Sequence, residues 1–91
     1  MKQVRLVDAP IGLFRCNGIL ALKTEYGTEH NRDSGTIVTP DCYIVNSGEY
    51  FWGQAKTTEE RNNLMVEPIP LHRVYIMGPN IHAEPQKEDQ P

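Results

Sequence analysis

Residues 11–24 read IGLFRC-NG-ILALKT, two apolar runs joined by Asn17 and Gly18. An Asn-Gly pair in this setting predicts a two-residue hairpin turn, because a type I′ turn needs a positive φ at both central residues. The turn fixes the pairing of the two strands, beginning with Cys16 opposite Ile19 and continuing outward. Alternate side chains of a strand point to opposite faces, and both faces of this hairpin are apolar. We therefore expect a central hairpin that is covered on both sides, as in a small barrel or a folded-over sheet.

A second hairpin is predicted over residues 41–53, DCYIV-NSG-EYFWG. If Gly48 takes the left-handed conformation, a three-residue loop pairs Val45 with Glu49, whereas a two-residue loop pairs Val45 with Tyr50. The sequence leaves both registers open. In either register the three consecutive aromatic side chains cannot all face one core, because neighbours in a strand point to opposite faces. At least one of these rings must belong to a second face.

Residues 57–64 carry the one helix that the sequence predicts. Thr57 and Glu60 have the spacing of a capping box, in which the hydroxyl accepts from the amide three residues later and the glutamate reaches back. Further short strands are predicted at residues 3–7, at 36–39, after Leu64 and at 72–77. The predicted fold class is therefore mostly β: a small SH3-like or partly open β-barrel of five to seven short strands with one short helix.

The chain of 91 residues is expected to form one small domain. Residues 1–77 form its predicted body. Residues 25–35, EYGTEHNRDSG, are predicted as its longest loop, because they are polar and rich in turn formers. Residues 78–91, GPNIHAEPQKEDQP, are rich in proline and charge. Such a stretch buries too little apolar surface to offset its ordering entropy, which predicts a disordered tail.

The charge balance bears on partners and location. A net charge of −3 without a basic run removes the electrostatic term that usually carries nucleic-acid binding. No apolar stretch reaches the roughly 18 residues of a membrane span, and the N-terminus lacks the apolar core of a secretory signal. Cys16 and Cys42 are then expected as free buried thiols. We expect a cytoplasmic protein without a membrane partner.

The familiar catalytic and metal-binding patterns are absent from the sequence. His30, His72 and His82, together with Cys16 and Cys42, do not have the spacing of zinc ligands. There is no P-loop, nucleophile elbow or dinucleotide fingerprint. Both cysteines fall at predicted strand positions among apolar neighbours, which favours an inert thiol over a nucleophile. We expect no metal, no cofactor, no catalytic residue and no enzymatic activity.

Three stretches carry a resemblance to a known group of proteins: GLF at 12–14, ALKTEYG at 21–27, and SGEYFWGQAKTTEER with LMVEPI inside 47–69. Over residues 11–69 the chain resembles small accessory proteins encoded in the early regions of phages and prophages. The resemblance implies a small binding protein that acts on host machinery or host defence in the cytoplasm of a bacterium. It implies no catalytic residues.

The candidate binding surface consists of aromatic and arginine side chains, which dominate the hot spots of protein–protein interfaces. The candidate residues are Tyr26 in the 25–35 loop, Tyr43, Tyr50, Trp52 and Arg73. The expected partner is a host protein, or a small nucleotide-like ligand held between aromatic rings and arginines. The alternative is a single-stranded nucleic acid stacked on the same rings. Apart from Arg73, the strand at 72–77 has no guard on its edge, which leaves open a homodimer through that strand.

Overall fold

The computed structural model describes residues 2–33 and 35–84, without the side chain of residue 32. The strands in this part of the chain are β1 Val4–Arg5, β2 Gly12–Cys16, β3 Ile19–Arg32, β4 Gly35–Ile44, β5 Met65–Pro68, β6 Val74–Met77 and β7 Asn80–Ala83, and the helix is α1 Thr58–Asn62. The first five strands form an antiparallel sheet in the order β1-β5-β2-β3-β4, and β6 pairs with β7 in a second sheet. The prediction of a mostly-β fold with one short helix is confirmed. The larger sheet is open, and no barrel closes among the described residues.

The first hairpin has the predicted register. Phe14 of β2 pairs with Ala21 of β3, and the other pairs of the two strands keep the same register. The turn residues Asn17 and Gly18 have φ angles of 50° and 82°. Both are in the left-handed region that a type I′ turn requires, so the local signal determines the pairing.

One face of the large sheet forms the core. Phe14 from β2 and Phe51 from the segment after β4 are almost fully buried, and their rings meet edge to face with 5.1 Å between centroids. Leu6, from a 3-10 turn after β1, closes the core from the N-terminal side. Cys16 and Cys42 are free and buried in this core, as predicted.

The opposite face of the sheet, called here the outer face, is only partly covered. The β6–β7 hairpin is tied to it through Arg15 Nη2, which donates to the carbonyl of Glu84 at 3.3 Å. Asn46 and the backbone of Ile81 also exchange two hydrogen bonds, of 2.9 and 2.7 Å. Beyond this hairpin the outer face is open, and Leu22 is 40% exposed. The expected full cover on both sides is therefore wrong, because the C-terminal hairpin reaches only one end of the outer face.

The predicted C-terminal tail begins as a strand. Residues 80–83 form β7, which pairs with β6 around Gly78, whose φ is 64°. The prediction of a disordered 78–91 is thus wrong for its first residues, and residues 85–91 lie outside the described part of the chain. Composition misses this strand because a hairpin that is anchored by polar contacts needs little apolar surface of its own. The predicted strand at 72–77 is shorter, beginning at residue 74 after a 3-10 turn.

The second hairpin takes neither of the predicted registers. Tyr43 pairs with Tyr50, which leaves a turn over residues 45–48. The cause is a long-range hydrogen bond, since the N–H of Val45 donates to the carbonyl of Leu20 in β3 at 3.0 Å. Val45 thus still bonds to β3, and the chain reverses over residues 45–48.

Residues 25–32 form a strand, so the prediction of a long loop at 25–35 is wrong. The pairing of β3 with β4 runs from Gly27 opposite Pro40 to the ends of both strands. The result is a two-stranded ribbon. The molecule measures 47 × 33 × 21 Å, and its radius of gyration is 14.1 Å, against about 12 Å for a compact chain of this length. The polar composition reflects a strand that is exposed on both faces.

A β-bulge connects the ribbon to the sheet. The register shifts between Lys23 and Gly27, where the hydroxyl of Thr24 donates to the carbonyl of Asp41 at 2.7 Å and accepts from the N–H of Tyr26 at 3.2 Å. A side chain thus takes over backbone bonds that the bulge removes from the ladder.

Helix α1 begins at the predicted cap. Thr57 Oγ1 accepts from the N–H of Glu60 at 3.1 Å. The carboxylate of Glu60 accepts from the N–H of Lys56 at 3.0 Å, one residue earlier than in a standard capping box. The helix ends at Asn62, earlier than the predicted residue 64. The N–H of Leu64 bonds to the carbonyl of Arg61 at 3.2 Å, in the tighter pattern that closes a last helical turn.

A buried lysine holds the N-terminal segment on the sheet. Lys23 is 8% exposed, and its Nζ donates to the carbonyls of Leu6 at 2.9 Å, Val7 at 3.2 Å and Ala9 at 2.6 Å. These carbonyls belong to the 3-10 turn and the residue after it. Burial lowers the pKa of Lys23, and nearby Asp8 acts in the opposite direction. The ammonium group uses all three of its donors.

Replacing Lys23 with methionine should therefore destabilise the fold. We expect Lys23→Met to lower the free energy of unfolding by about 2 kcal/mol, because buried carbonyls lose their donor. Urea unfolding measures the change, with the exposed Lys56→Met as the matched control. Equal effects of the two substitutions would show that the Lys23 contacts contribute no net stability.

Candidate functional site

Five side chains form a continuous stripe on the outer face. Leu13 of β2 pairs with Leu22 of β3, Leu22 pairs with Tyr43 of β4, and Tyr43 pairs with Tyr50. Directly opposed residues of antiparallel strands point to the same face. The ring of Trp52 lies beside Tyr50, with 5.8 Å between centroids. We call these five residues the outer-face stripe.

Much of the outer-face stripe is open to solvent. Leu22 and Tyr43 are each 40% exposed and Trp52 is 44% exposed. Tyr43 and Tyr50 meet edge to face at 5.6 Å, so the rings support one another. A contiguous apolar surface of this kind is typical of an interaction site.

An apolar groove continues the stripe at its Leu13 end. It has a volume of about 600 Å³ and is lined by residues 10–13, residues 68–71 and Leu22. Ile11 and Leu71 at its rim are 64% and 78% exposed. The sequence prediction of the site missed these aliphatic residues. These residues could be found from the apolar second face of the first hairpin, but the sequence analysis expects that face to be covered.

A buried arginine lies between the aromatic rings and the core. Arg61 of α1 is 0% exposed. Its Nε donates to the carbonyl of Phe51 at 2.6 Å, and its Nη1 donates to the carbonyl of Pro40 at 2.7 Å. Its guanidinium carbon lies 4.8 Å from the ring centroid of Tyr50 and 5.6 Å from that of Trp52. The three consecutive aromatics are thus divided: Phe51 packs in the core, and its two neighbours make cation–π contacts.

The charge of Arg61 is held without a carboxylate among the described residues. Carbonyl dipoles and ring faces surround it, and its Nη2 has no hydrogen-bond partner in that part of the chain. Because Tyr50 and Trp52 lie over it, this cation does not reach the solvent. The arginine therefore stabilises the aromatic part of the stripe from below and offers no accessible positive charge to a ligand.

A carboxylate borders the stripe. Asp41 Oδ1 accepts from the hydroxyl of Tyr50 at 3.0 Å and from that of Thr28 at 2.8 Å. Burial raises the pKa of Tyr50, and the hydrogen bond to Asp41 adds to this shift. Tyr50 therefore remains a neutral hydrogen-bond donor, and the polar border of the stripe is acidic.

Tyr26 and Arg73 lie apart from the stripe. Tyr26 is 70% exposed at the bulge of the ribbon. Arg73 Nη2 donates to the carbonyl of Glu84 at 2.6 Å. Its Nη1 lies 3.6 Å from Glu67 Oε2, an ionic contact longer than a hydrogen bond, and Glu67 Oε1 lies 3.5 Å from Arg15. Arg73 therefore anchors the C-terminal hairpin. Of the predicted site, only Tyr43, Tyr50 and Trp52 come together.

Both thiols lie in environments that favour the protonated form. Burial raises the pKa of Cys16. Burial also raises the pKa of Cys42, although nearby Arg61 and Lys23 act in the opposite direction. The thiolate is the nucleophilic form of cysteine. Neither side chain therefore has the surroundings of an activated nucleophile.

Residues 2–33 and 35–84 contain neither a metal-binding cluster nor a membrane-spanning helix. No group of three His, Cys, Asp or Glu side chains in this part of the chain is placed to hold a metal ion. The helices described there include none with the length and apolar character needed to cross a bilayer.

We expect Arg61→Met to lower the free energy of unfolding by about 3 kcal/mol, because two buried carbonyls lose a charged donor and the rings lose their cation. Urea unfolding monitored by the fluorescence of Trp52, the single tryptophan, measures the loss. The control is Arg5→Met, since Arg5 is an arginine with a 52% exposed side chain, for which we expect less than about 1 kcal/mol. A loss at Arg61 no larger than this control would contradict the assigned role.

The raised pKa values of Cys16 and Cys42 predict slow thiol chemistry in the folded protein. In mildly alkaline buffer a disulfide reagent should label neither thiol quickly. In urea both thiols should react quickly, because unfolding restores their ordinary pKa. The rate is followed by absorbance, with the unfolded chain as the reference. Labelling of one native thiol at the unfolded rate would identify it as exposed and reactive.

Comparison of the chain with protein-family models, with curated proteins and with solved structures finds no match. The resemblance to phage accessory proteins therefore stays a prediction.

Proposed function

We propose that this chain is a non-catalytic binding protein that docks an apolar segment of a partner protein on the outer-face stripe. The observation that carries the proposal is the row of Leu22, Tyr43 and Trp52, each at least 40% exposed and continued by the apolar groove. Leu22 and Tyr43 pair across the sheet, and the Trp52 ring lies beside Tyr50. Aromatic side chains in a preformed surface lose little conformational freedom on binding and bury a large area.

The charges around the stripe favour a protein over a phosphate-bearing ligand. Arg61 is buried beneath the rings, and Arg15 and Arg73 contact Glu67. Asp41 borders the tyrosines instead. A phosphate stacked against this surface would meet a carboxylate, whereas an apolar segment with a basic or polar flank would not.

A second candidate rests on the exposed rings of Tyr43 and Trp52. Every nucleobase has a face that stacks on an aromatic side chain, so a single-stranded nucleic acid or a small nucleotide-like ligand would use the same residues. Such binding would weaken steeply with salt, because it depends on phosphate contacts. Apolar docking would change little with salt.

The cellular setting belongs to the same proposal. The resemblance to phage accessory proteins supports a bacterial host protein as partner, the host cytoplasm as location and a counter-defence role. The strand at 72–77 remains a candidate for self-association. β7 pairs along one of its edges, so a second copy would have to use the other edge.

The test is capture of host proteins by the purified chain, followed by calorimetry with the captured protein. We expect Tyr43→Ala to weaken binding at least about tenfold, equivalent to about 1.4 kcal/mol, because the variant removes the centre of the stripe. The matched control is Tyr26→Ala, a more exposed tyrosine outside the stripe, which should leave the affinity within about twofold.

The outcomes separate the two candidates. Equal losses in the two variants, with circular dichroism showing intact folds, would refute the stripe as the docking surface. A shift of a labelled oligonucleotide at low salt, abolished by Tyr43→Ala and by added salt, would replace the protein partner with nucleic acid. A rise in melting temperature with a nucleotide would indicate a small ligand.

A further inference from the structure

The ribbon of β3 and β4 has a free backbone edge at residues 36–39. The carbonyls of Cys42 and Pro40 point away from β3, toward the segment after the second turn and toward α1. Backbone groups alternate in direction along a strand, so Val38 and Thr36 also direct their N–H and C=O groups away from β3. Among the described residues no strand pairs along this side.

This edge lacks the usual protection against pairing. Residues 36–39 read TIVT, four uncharged β-branched residues with a high preference for strands. Exposed edges are normally guarded by charge, proline or a covering segment. Here Pro40 stops the free edge at one end, and Val38 within it is 52% exposed. The opposite edge of the ribbon carries Glu29, so the two edges differ in charge.

We propose that residues 36–39 form a self-pairing edge that joins two copies of this chain into a homodimer. An antiparallel arrangement with Ile37 on the two-fold axis pairs Thr36 of one copy with Val38 of the other. Each such pair exchanges both of its N–H···O bonds. A two-fold axis at Val38 would use the edge less well, because it would place Thr36 opposite Pro40. Pro40 has no N–H, and its carbonyl already accepts from Arg61.

A second copy fits this edge for two physical reasons. A two-stranded ribbon is marginally stable in water, whereas three or more strands are stable. Two identical ribbons joined at this edge form a four-stranded sheet and stabilise each other. In addition, an isologous interface must be self-complementary. Uncharged residues 36–39 can oppose themselves without repulsion, although each chain has a net charge of −3.

The test is site-directed cross-linking of the full chain. Facing residues at the two-fold have Cα atoms about 4.5 Å apart, which is within the range of a disulfide. Ile37→Cys should therefore form a covalent dimer in air, of twice the 10.4 kDa of one chain. The matched control is Glu29→Cys, which lies opposite the neighbouring Val38 on the other edge of the ribbon. Cys16 and Cys42 are buried and should not contribute.

Sedimentation equilibrium of the unmodified chain provides the second measurement. We expect a concentration-dependent dimer that Val38→Pro converts to a monomer, because proline removes an outward N–H and no bond to β3. Circular dichroism checks that this variant folds. A monomer at every concentration without an Ile37→Cys cross-link would overturn the proposal. So would equal cross-linking of the two cysteine variants, or a dimer that persists in folded Val38→Pro.

The same measurements distinguish a second copy of the chain from a strand of a different protein on this edge. A chain that stays monomeric but binds an extended peptide, and loses that binding in Val38→Pro, would show that the edge accepts a different protein and not a second copy. This surface is separate from the outer-face stripe, so the two proposals can fail independently.

Discussion

The turn of the first hairpin sets the parity on which the whole sheet depends. It places Phe14 on the core face and Leu22 on the outer face, and a slip of one residue would exchange the two sets. β4 pairs with β3 and the segment after it pairs with β4, so the same parity carries across the molecule. It turns Phe51 inward and Tyr43 and Tyr50 outward. The core and the candidate binding surface therefore have a single cause.

Two buried cations hold the parts that strand pairing does not reach. Lys23 binds the carbonyls of the N-terminal turn, and Arg61 binds carbonyls at the edge of β4 and after the second turn. Both cations satisfy backbone acceptors that a small sheet with one short helix would leave unpaired. They are also withdrawn from the surface, whereas Glu67 is the only buried carboxylate among the described residues. The exposed surface is consequently more acidic than the sequence indicates.

Features with local causes could be predicted from the sequence, and features with long-range causes could not. The Asn-Gly turn and the cap of α1 depend on neighbouring residues and follow their patterns. The second turn depends on the bond of Val45 to Leu20, which no local pattern contains. Composition does not predict the polar strands at 25–32 and 80–83, because they are exposed and contain few apolar residues. In the candidate site, the aromatic residues could be identified from their residue type. Leu22 could be identified only once it was known which face of the sheet stays open.

The parity of the sheet also connects the two proposed surfaces. A two-fold axis between identical antiparallel strands lies perpendicular to their sheet, so the same face of both copies points to the same side. Pairing through residues 36–39 would therefore present two outer-face stripes in one direction, subject to the bend at the β-bulge. Two linked sites bind a multivalent partner more tightly than one, without any new contact. Composition predicts a loop where the ribbon lies. In a homodimer, this ribbon would determine how many binding surfaces the protein offers.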